Sequence, residues 1–144
     1  MTENSMSSLP LREDWRYRPY DIGQTVLQPG ETRTIIDLRK HGWVLVGGVF
    51  CNNPLLRWII ELETGQETYR FDMSLAELNL YGGNQANNSW WISVYNIILN
   101  LYAVQFSPSS WWPFYSRFKF SLQNPTVAAI TVFRTSVLAI EVLP

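Results

Sequence analysis

The residues able to carry chemistry in this chain are few and scattered. Histidine occurs once, at His41, and cysteine once, at Cys51. A catalytic triad needs a base held against a nucleophile, and a zinc site needs several His and Cys donors converging on one point. One residue of each kind builds no zinc framework, so no metal site is expected. His41 stands in the turn-like stretch Arg39-Lys40-His41-Gly42, where a solvated imidazole is the expectation. Cys51 follows Val49-Phe50, which points to a buried, inert thiol, and a single cysteine excludes an internal disulfide. Glu61 and Glu63 lie two apart and share one face of a strand. Glycosidase carboxylates instead face each other across a cleft from separate strands. Arg57 lies on that same face, so an ion-paired surface is expected there. Asp72 and Glu77 are accounted for by helix capping. Gly47-Gly48 and Gly82-Gly83 fit no phosphate-binding pattern. Neither an enzyme nor a cofactor is expected.

The stronger signal is aromatic. Seven tryptophans contribute to a 15% aromatic content, while charged residues make up 16%, well below the roughly 25% usual for globular chains. So little charge over so much apolar matter implies surface intended for another protein, hence an oligomer or assembly component. Two regions stand out. The first is Leu9-Pro10-Leu11-Arg12-Glu13-Asp14-Trp15-Arg16-Tyr17-Arg18-Pro19-Tyr20, which interleaves arginine with aromatics between two prolines. Proline biases its predecessor toward extended backbone, so an extended arm is expected over residues 1–22, ahead of a domain over 23–144. Its partner-binding candidates are Leu9, Leu11, Arg12, Trp15, Arg16, Tyr17, Arg18 and Tyr20. Aromatic anchors and forked guanidinium donors suit a carboxylate-bearing protein surface.

The second region is Ser109-Ser110-Trp111-Trp112-Pro113-Phe114-Tyr115. Adjacent residues of extended chain point to opposite faces, and Pro113 bars a regular central strand. At least one of Trp111 and Trp112 is therefore expected outside the core. Trp111, Trp112, Phe114 and Tyr115 form a candidate second interface or glycan platform, with Asn84, Gln85, Asn87 and Asn88 as possible sugar-bonding amides. Plain core packing carries equal weight for Trp90, Trp91 and Trp111.

The elements that must position these side chains read as strand and turn. Gln28-Pro29-Gly30-Glu31 is a type II turn signal. Strands are expected over 32–38, 43–51, 55–63, 67–71, 90–95, 98–106, 115–122, 126–133 and 136–143. Ser74-Leu75-Ala76-Glu77 is a capping box and Gly82-Gly83 a left-handed stop, predicting one short helix near 74–81. Eight or nine short strands separated by turn signals predict an all-β fold, a β-sandwich or jelly roll. The net charge of −1 leaves no electrostatic footprint for nucleic acid or an anionic membrane. No apolar stretch approaches the roughly 18 residues of a membrane helix. The polar residues 1–10 do not form a signal peptide.

A family likeness rests on particular stretches. They are Glu31-Thr32-Arg33-Thr34-Ile35-Ile36-Asp37-Leu38, Gly42-Trp43-Val44-Leu45-Val46-Gly47-Gly48-Val49-Phe50, Asn52-Asn53-Pro54 and Trp58-Ile59-Ile60-Glu61-Leu62. Later ones are Leu101-Tyr102-Ala103-Val104-Gln105-Phe106-Ser107-Pro108, Pro113-Phe114-Tyr115-Ser116-Arg117 and Gln123-Asn124-Pro125-Thr126. In style these resemble small β-sandwich virion proteins of tailed phages. The resemblance implies a non-enzymatic capsid decoration or spike protein, a homo-oligomer with a trimer favoured. Its partner would be the major capsid protein or other virion subunits, gripped by the N-terminal arm, in a virion assembled in the host cytoplasm. A glycan- or receptor-binding module is the alternative expectation.

Overall fold

The computed structural model describes residues 14–81, 84–85 and 89–144, with residues 84–85 described for their backbone only. Among these, twelve strands and one helix follow in the order β1 (Trp15–Ile22), β2 (Thr25–Leu27), β3 (Thr32–Leu38), β4 (His41–Cys51), β5 (Arg57–Glu63), β6 (Thr68–Ser74), α1 (Leu75–Leu80), β7 (Asn84–Gln85), β8 (Trp90–Asn96), β9 (Leu101–Phe106), β10 (Trp112–Phe114), β11 (Arg117–Gln123) and β12 (Ile130–Val142).

They form two antiparallel sheets. The larger, eight-stranded sheet runs β1-β12-β4-β9-β8-β7, with β2 also on β12 and β10 also on β4; the smaller, four-stranded sheet runs β3-β11-β5-β6. Within the larger sheet, β2-β12-β4-β9 face β3-β11-β5-β6, and along these eight strands, taken in chain order, every step but β5 to β6 crosses from one sheet to the other. That double Greek-key order is a jelly roll. The all-β sandwich expected from the strand and turn pattern is therefore the fold.

Alternation along the strands builds the core. In β5, Trp58, Ile60 and Leu62 point inward and are buried, while Arg57, Glu61 and Glu63 point outward. Phe118, Phe120 and Leu122 of β11 do the same from the adjoining strand. Trp58 stacks on Trp90 across the sandwich with ring centroids 5.3 Å apart. Each large apolar side chain buried this way contributes about 1.5–3 kcal/mol relative to exposure. The helix begins where the capping box requires: Ser74 Oγ accepts from the Glu77 N–H, and Glu77 Oε1 accepts from the Ser74 N–H. No helix among the described residues is long and apolar enough to cross a membrane.

The structure departs from the sequence reading in three places. The stretch expected as two strands, 126–133 and 136–143, is one strand of 13 residues, Ile130–Val142. Register shifts between Val132 and Arg134 and between Leu138 and Ala139 let it bend without breaking. The expected strand 98–106 starts only at Leu101, and the apolar residues before it form a turn. Most consequential is the arm. Trp15–Ile22 is extended, but it pairs along its whole length with β12, from Trp15 opposite Val142 to Ile22 opposite Thr135. The boundary expected at residue 22 is thus not where the domain begins, and β1 is an edge strand of this chain's own sheet. Pro19 is tolerated there because an edge strand leaves one row of N–H groups unpaired.

Candidate functional site

The outward faces of the two sheets have opposite chemistry. On the smaller sheet, arginines and carboxylates alternate across neighbouring strands. Arg57 meets Asp72 and Glu77 at 2.8 Å each. Arg70 meets Asp72 at 3.3 Å and Glu61 at 4.0 Å. Arg117 forks onto both oxygens of Asp37 at 2.8 Å and reaches Glu63 at 3.8 Å. The carboxylates that could have served as an acid–base pair are therefore occupied by guanidinium partners. This is a solvated, ion-paired face. The hydrogen bonds from Arg117 hold the Asp37 carboxyl below its ordinary value of 3.8. A folded-state pKa below the unfolded one adds stability above the unfolded value, and that stability is lost as pH falls through the folded value. Urea midpoints measured between pH 6 and pH 2 should therefore fall less steeply for Asp37→Asn than for the parent.

The larger sheet's outward face is aromatic instead. His41 and Trp43 lie two apart on β4 and share a face. Trp15 shares it as well, because Trp15 and His41 both lie opposite Val142 of the intervening β12. Strand β10 pairs beside them, with Trp112 opposite Val44, Pro113 opposite Trp43 and Phe114 opposite Gly42. This register sends Trp112 and Phe114 inward with Val44 and leaves Trp111 and Tyr115 outward.

A continuous row of rings results. Tyr115 stacks on His41 at 4.8 Å, His41 lies 5.6 Å from Trp43, Trp43 lies 5.0 Å from Trp15, and Trp15 meets Trp111 edge-on at 6.4 Å. All these residues are partly or well exposed, and Tyr115 is the most open at 57%. Arg39 and Lys40, which precede His41 in the chain, are exposed.

Each candidate residue can now be placed. Trp15 of the arm and Trp111 and Tyr115 of the aromatic loop belong to one surface, brought together by the β1–β12–β4–β10 pairing. Tyr17 lies on the same face two residues from Trp15. Arg18 and Tyr20 point the other way: Tyr20 packs against the core, and Arg18 reaches the buried Glu141 carboxylate at 3.2 Å. Arg16 is exposed. Leu9, Leu11 and Arg12 lie outside the described residues. Trp112 and Phe114 are not platform residues. Trp112 stacks on Phe106 at 5.2 Å and on Phe71 at 5.0 Å, and Phe114 is completely buried. Of the amides considered for sugar binding, Asn87 and Asn88 lie outside the described residues and Asn84 and Gln85 form the short strand β7.

The sequence alone does not single out His41 and Trp43, because Arg39-Lys40-His41-Gly42 reads as a turn, whereas His41 is the first residue of β4. The two-residue spacing was the available signal, since it puts both rings on one face of any strand.

The remaining chemistry-bearing groups are accounted for structurally. Cys51 is buried, its Sγ donates to the Asn53 carbonyl at 3.3 Å, and burial pushes its pKa up to about 11. Among the described residues no three His, Cys, Asp or Glu side chains converge as metal ligands. No protein-family model and no curated protein sequence matches the chain.

Proposed function

We propose that this chain is a non-enzymatic structural protein of a virion, a decoration subunit that attaches to neighbouring capsid subunits through the aromatic row and the adjoining strand β1. Jelly rolls recur in viral capsid and lectin domains alike, so the fold leaves two binding readings open and the surface chemistry favours one of them. The observation that carries the protein-binding reading is the ring row itself. Trp15, Trp43, His41, Trp111 and Tyr115 tilt and stack against one another, with only part of each ring turned outward. Sugar platforms need flat, open ring faces. Clustered, half-buried aromatics flanked by arginine are instead the composition of an interface hot spot. Among the described residues β1 is an edge strand, which leaves a row of backbone groups that a partner's extended segment can pair with.

The test is attachment measured against fold. Trp43→Ala removes the central ring from the row without touching the sandwich core. It is expected to weaken co-sedimentation with undecorated capsids by at least tenfold, the scale of one aromatic hot spot at about 2 kcal/mol. The urea midpoint should stay close to that of the parent. Unchanged co-sedimentation would remove the aromatic row from the attachment surface. A glycan array bound by the parent and lost with Trp43→Ala would replace the virion reading with the carbohydrate one.

A further inference from the structure

The most exposed large apolar residues of the described chain all gather at one end of the sandwich. Ile97, Ile98 and Leu99 are 71%, 92% and 64% exposed, Leu80 is 83% exposed and Val127 is 97% exposed. This is the end opposite the aromatic row: β4 runs from His41 in the row to Cys51 here, 11 residues or about 35 Å of strand. Exposed aliphatic side chains at a turn are unusual, because turns are normally built from polar residues, Gly and Pro. Here the turn chemistry is supplied from the flanks. Asn96 Oδ1 accepts from the Leu99 N–H at 3.0 Å, and Asn100 adopts the left-handed φ of 54° that closes the hairpin. The two asparagines make the turn and leave Ile97-Ile98-Leu99 projecting as an apolar tip.

Beside this tip lies a groove of about 740 Å³, lined by Leu55, Leu80, Tyr95, Pro125 and Val127 among others. Arg57 and Glu77 also line it, already neutralising each other at 2.8 Å. The groove thus offers apolar wall with no uncompensated charge to repel an apolar occupant. The tip does not fill its own groove. It is fixed by the pairing of Asn96 with Leu101, and Ile98 remains almost fully exposed.

We propose that this end is the self-association surface, the tip of one copy seating its Ile98 in the groove of a second copy beside Val127 and Leu80. The area fits this occupant. Five or six aliphatic side chains this open present several hundred Å² of apolar surface. That is the size of the largest patch on a typical monomer, about 300–600 Å² and often functional, and with the groove walls added it approaches the roughly 800 Å² per partner of a standard interface. Tip and groove adjoin on one end, so the contact closes on itself, two copies being the smallest closed assembly. The inference rests on the assembly reading above and supplies its missing half: one end joins copies, and the opposite end is left for the capsid.

Sedimentation velocity on the full chain tests it. The parent is expected at a multiple of 16.7 kDa at micromolar concentration. Ile98→Asp and Val127→Asp, both at exposed sites, should each raise the dissociation constant at least tenfold with an unchanged circular dichroism spectrum. Ile98→Cys and Val127→Cys chains, prepared separately, mixed and oxidised, should yield the mixed disulfide; buried Cys51 stays silent in the parent control.

A parent that sediments at 16.7 kDa overturns the proposal, including the case where removal of residues 1–13 frees the groove. So does either Asp variant with an unchanged dissociation constant. Ile98→Cys homodimers without the mixed product also overturn it, replacing tip-in-groove with tip-to-tip contact. Trp43→Ala should leave the sedimenting mass unchanged, which separates failure of this surface from failure of the capsid-binding one.

Discussion

Replacing Asn124 by alanine is expected to cost the domain about 3 kcal/mol, the loss of four side-chain hydrogen bonds at about 0.5–1.5 kcal/mol each. Asn124 is fully buried in the connection between β11 and β12. Its amide donates to the carbonyls of Leu27 at 3.0 Å and Ala128 at 2.8 Å. Its side-chain oxygen accepts from the Thr126 N–H at 2.9 Å and the Thr126 hydroxyl at 2.7 Å. Its backbone N–H and carbonyl pair with the Glu31 carbonyl and the Gly30 N–H of the β2–β3 turn. One side chain thus ties together two connections that alternate between the sheets. Alanine takes the amide donor from the buried Leu27 carbonyl and both acceptor contacts from Thr126, while the exposed Ala128 carbonyl keeps the Thr126 hydroxyl at 2.9 Å. With urea m-values of about 1–3 kcal/mol/M for small domains, the midpoint should drop by roughly 1–2 M.

Asn124→Asp sharpens the assignment, because aspartate keeps the acceptor for Thr126 but loses the donor for Leu27 and Ala128. An ionised carboxylate against two carbonyl oxygens has its folded-state pKa raised, so the variant is most stable when protonated and loses stability as pH rises through that value. Asn124→Asp should therefore gain stability between neutral and mildly acid pH, where the parent's Asp37 ion pair gives no such gain. Parallel pH profiles for the two proteins would show that Asn124 acts by shape alone.

Much of this fold was legible because its signals are local. The alternation of Trp58, Ile60 and Leu62 against charged neighbours, the capping box at Ser74 and Glu77, and the turn residues at Gly30 and Asn53 each require only a few consecutive residues. Fold class follows from counting such segments. What the sequence hid was set by non-local pairing. The polar pair Arg134-Thr135 reads as an interruption, yet β12 runs through it. Its register slips at that point, and Arg134 finds Asp21 on β1, forking onto both carboxylate oxygens at 2.8 Å. Residues 15–22 read as an arm because mixed Arg and aromatic side chains show no clean period, and their partner strand lies more than a hundred residues away in the chain.

The candidate site hid for the same reason. Trp15, Trp43 and Trp111 sit on separate elements, and only the order β1-β12-β4, with β10 beside β4, makes them neighbours. The apolar turn at residues 97–100 misleads in the opposite direction. Hydrophobicity argued that Ile98 belongs to a strand, while Asn96 and Asn100 had already placed it at the tip.

Gly42→Ala is expected to be the most damaging single substitution among those considered, costing more than about 4 kcal/mol and leaving little folded protein, a size that marks a specific steric cause. A methyl group at Gly42 would lie 1.8 Å from the Ile140 carbonyl oxygen, 2.9 Å from its carbon and 3.0 Å from the Phe114 ring. Ordinary carbon–oxygen approaches between adjacent strands are about 3.3–3.6 Å, so more than an ångström must be found. Overpacking a core usually costs about 1–3 kcal/mol because a side chain can give way. Here the obstacle is the backbone of the longest strand in the domain, held by β1 on its other side, and the remaining neighbour is a fully buried phenylalanine. Gly23→Ala provides the control, since nothing lies within 4 Å of its added methyl; its stability should stay within about 0.5 kcal/mol of the parent. The position also links stability to function. Gly42 separates His41 from Trp43, and the close approach that it allows between β4, β10 and β12 brings Tyr115, Trp111 and Trp15 into one row. Any Gly42→Ala protein recovered at low temperature should therefore lose both stability and capsid attachment, whereas Trp43→Ala loses attachment alone. Thermal melts and co-sedimentation on the two variants side by side would separate a row held by packing from one held by its own rings.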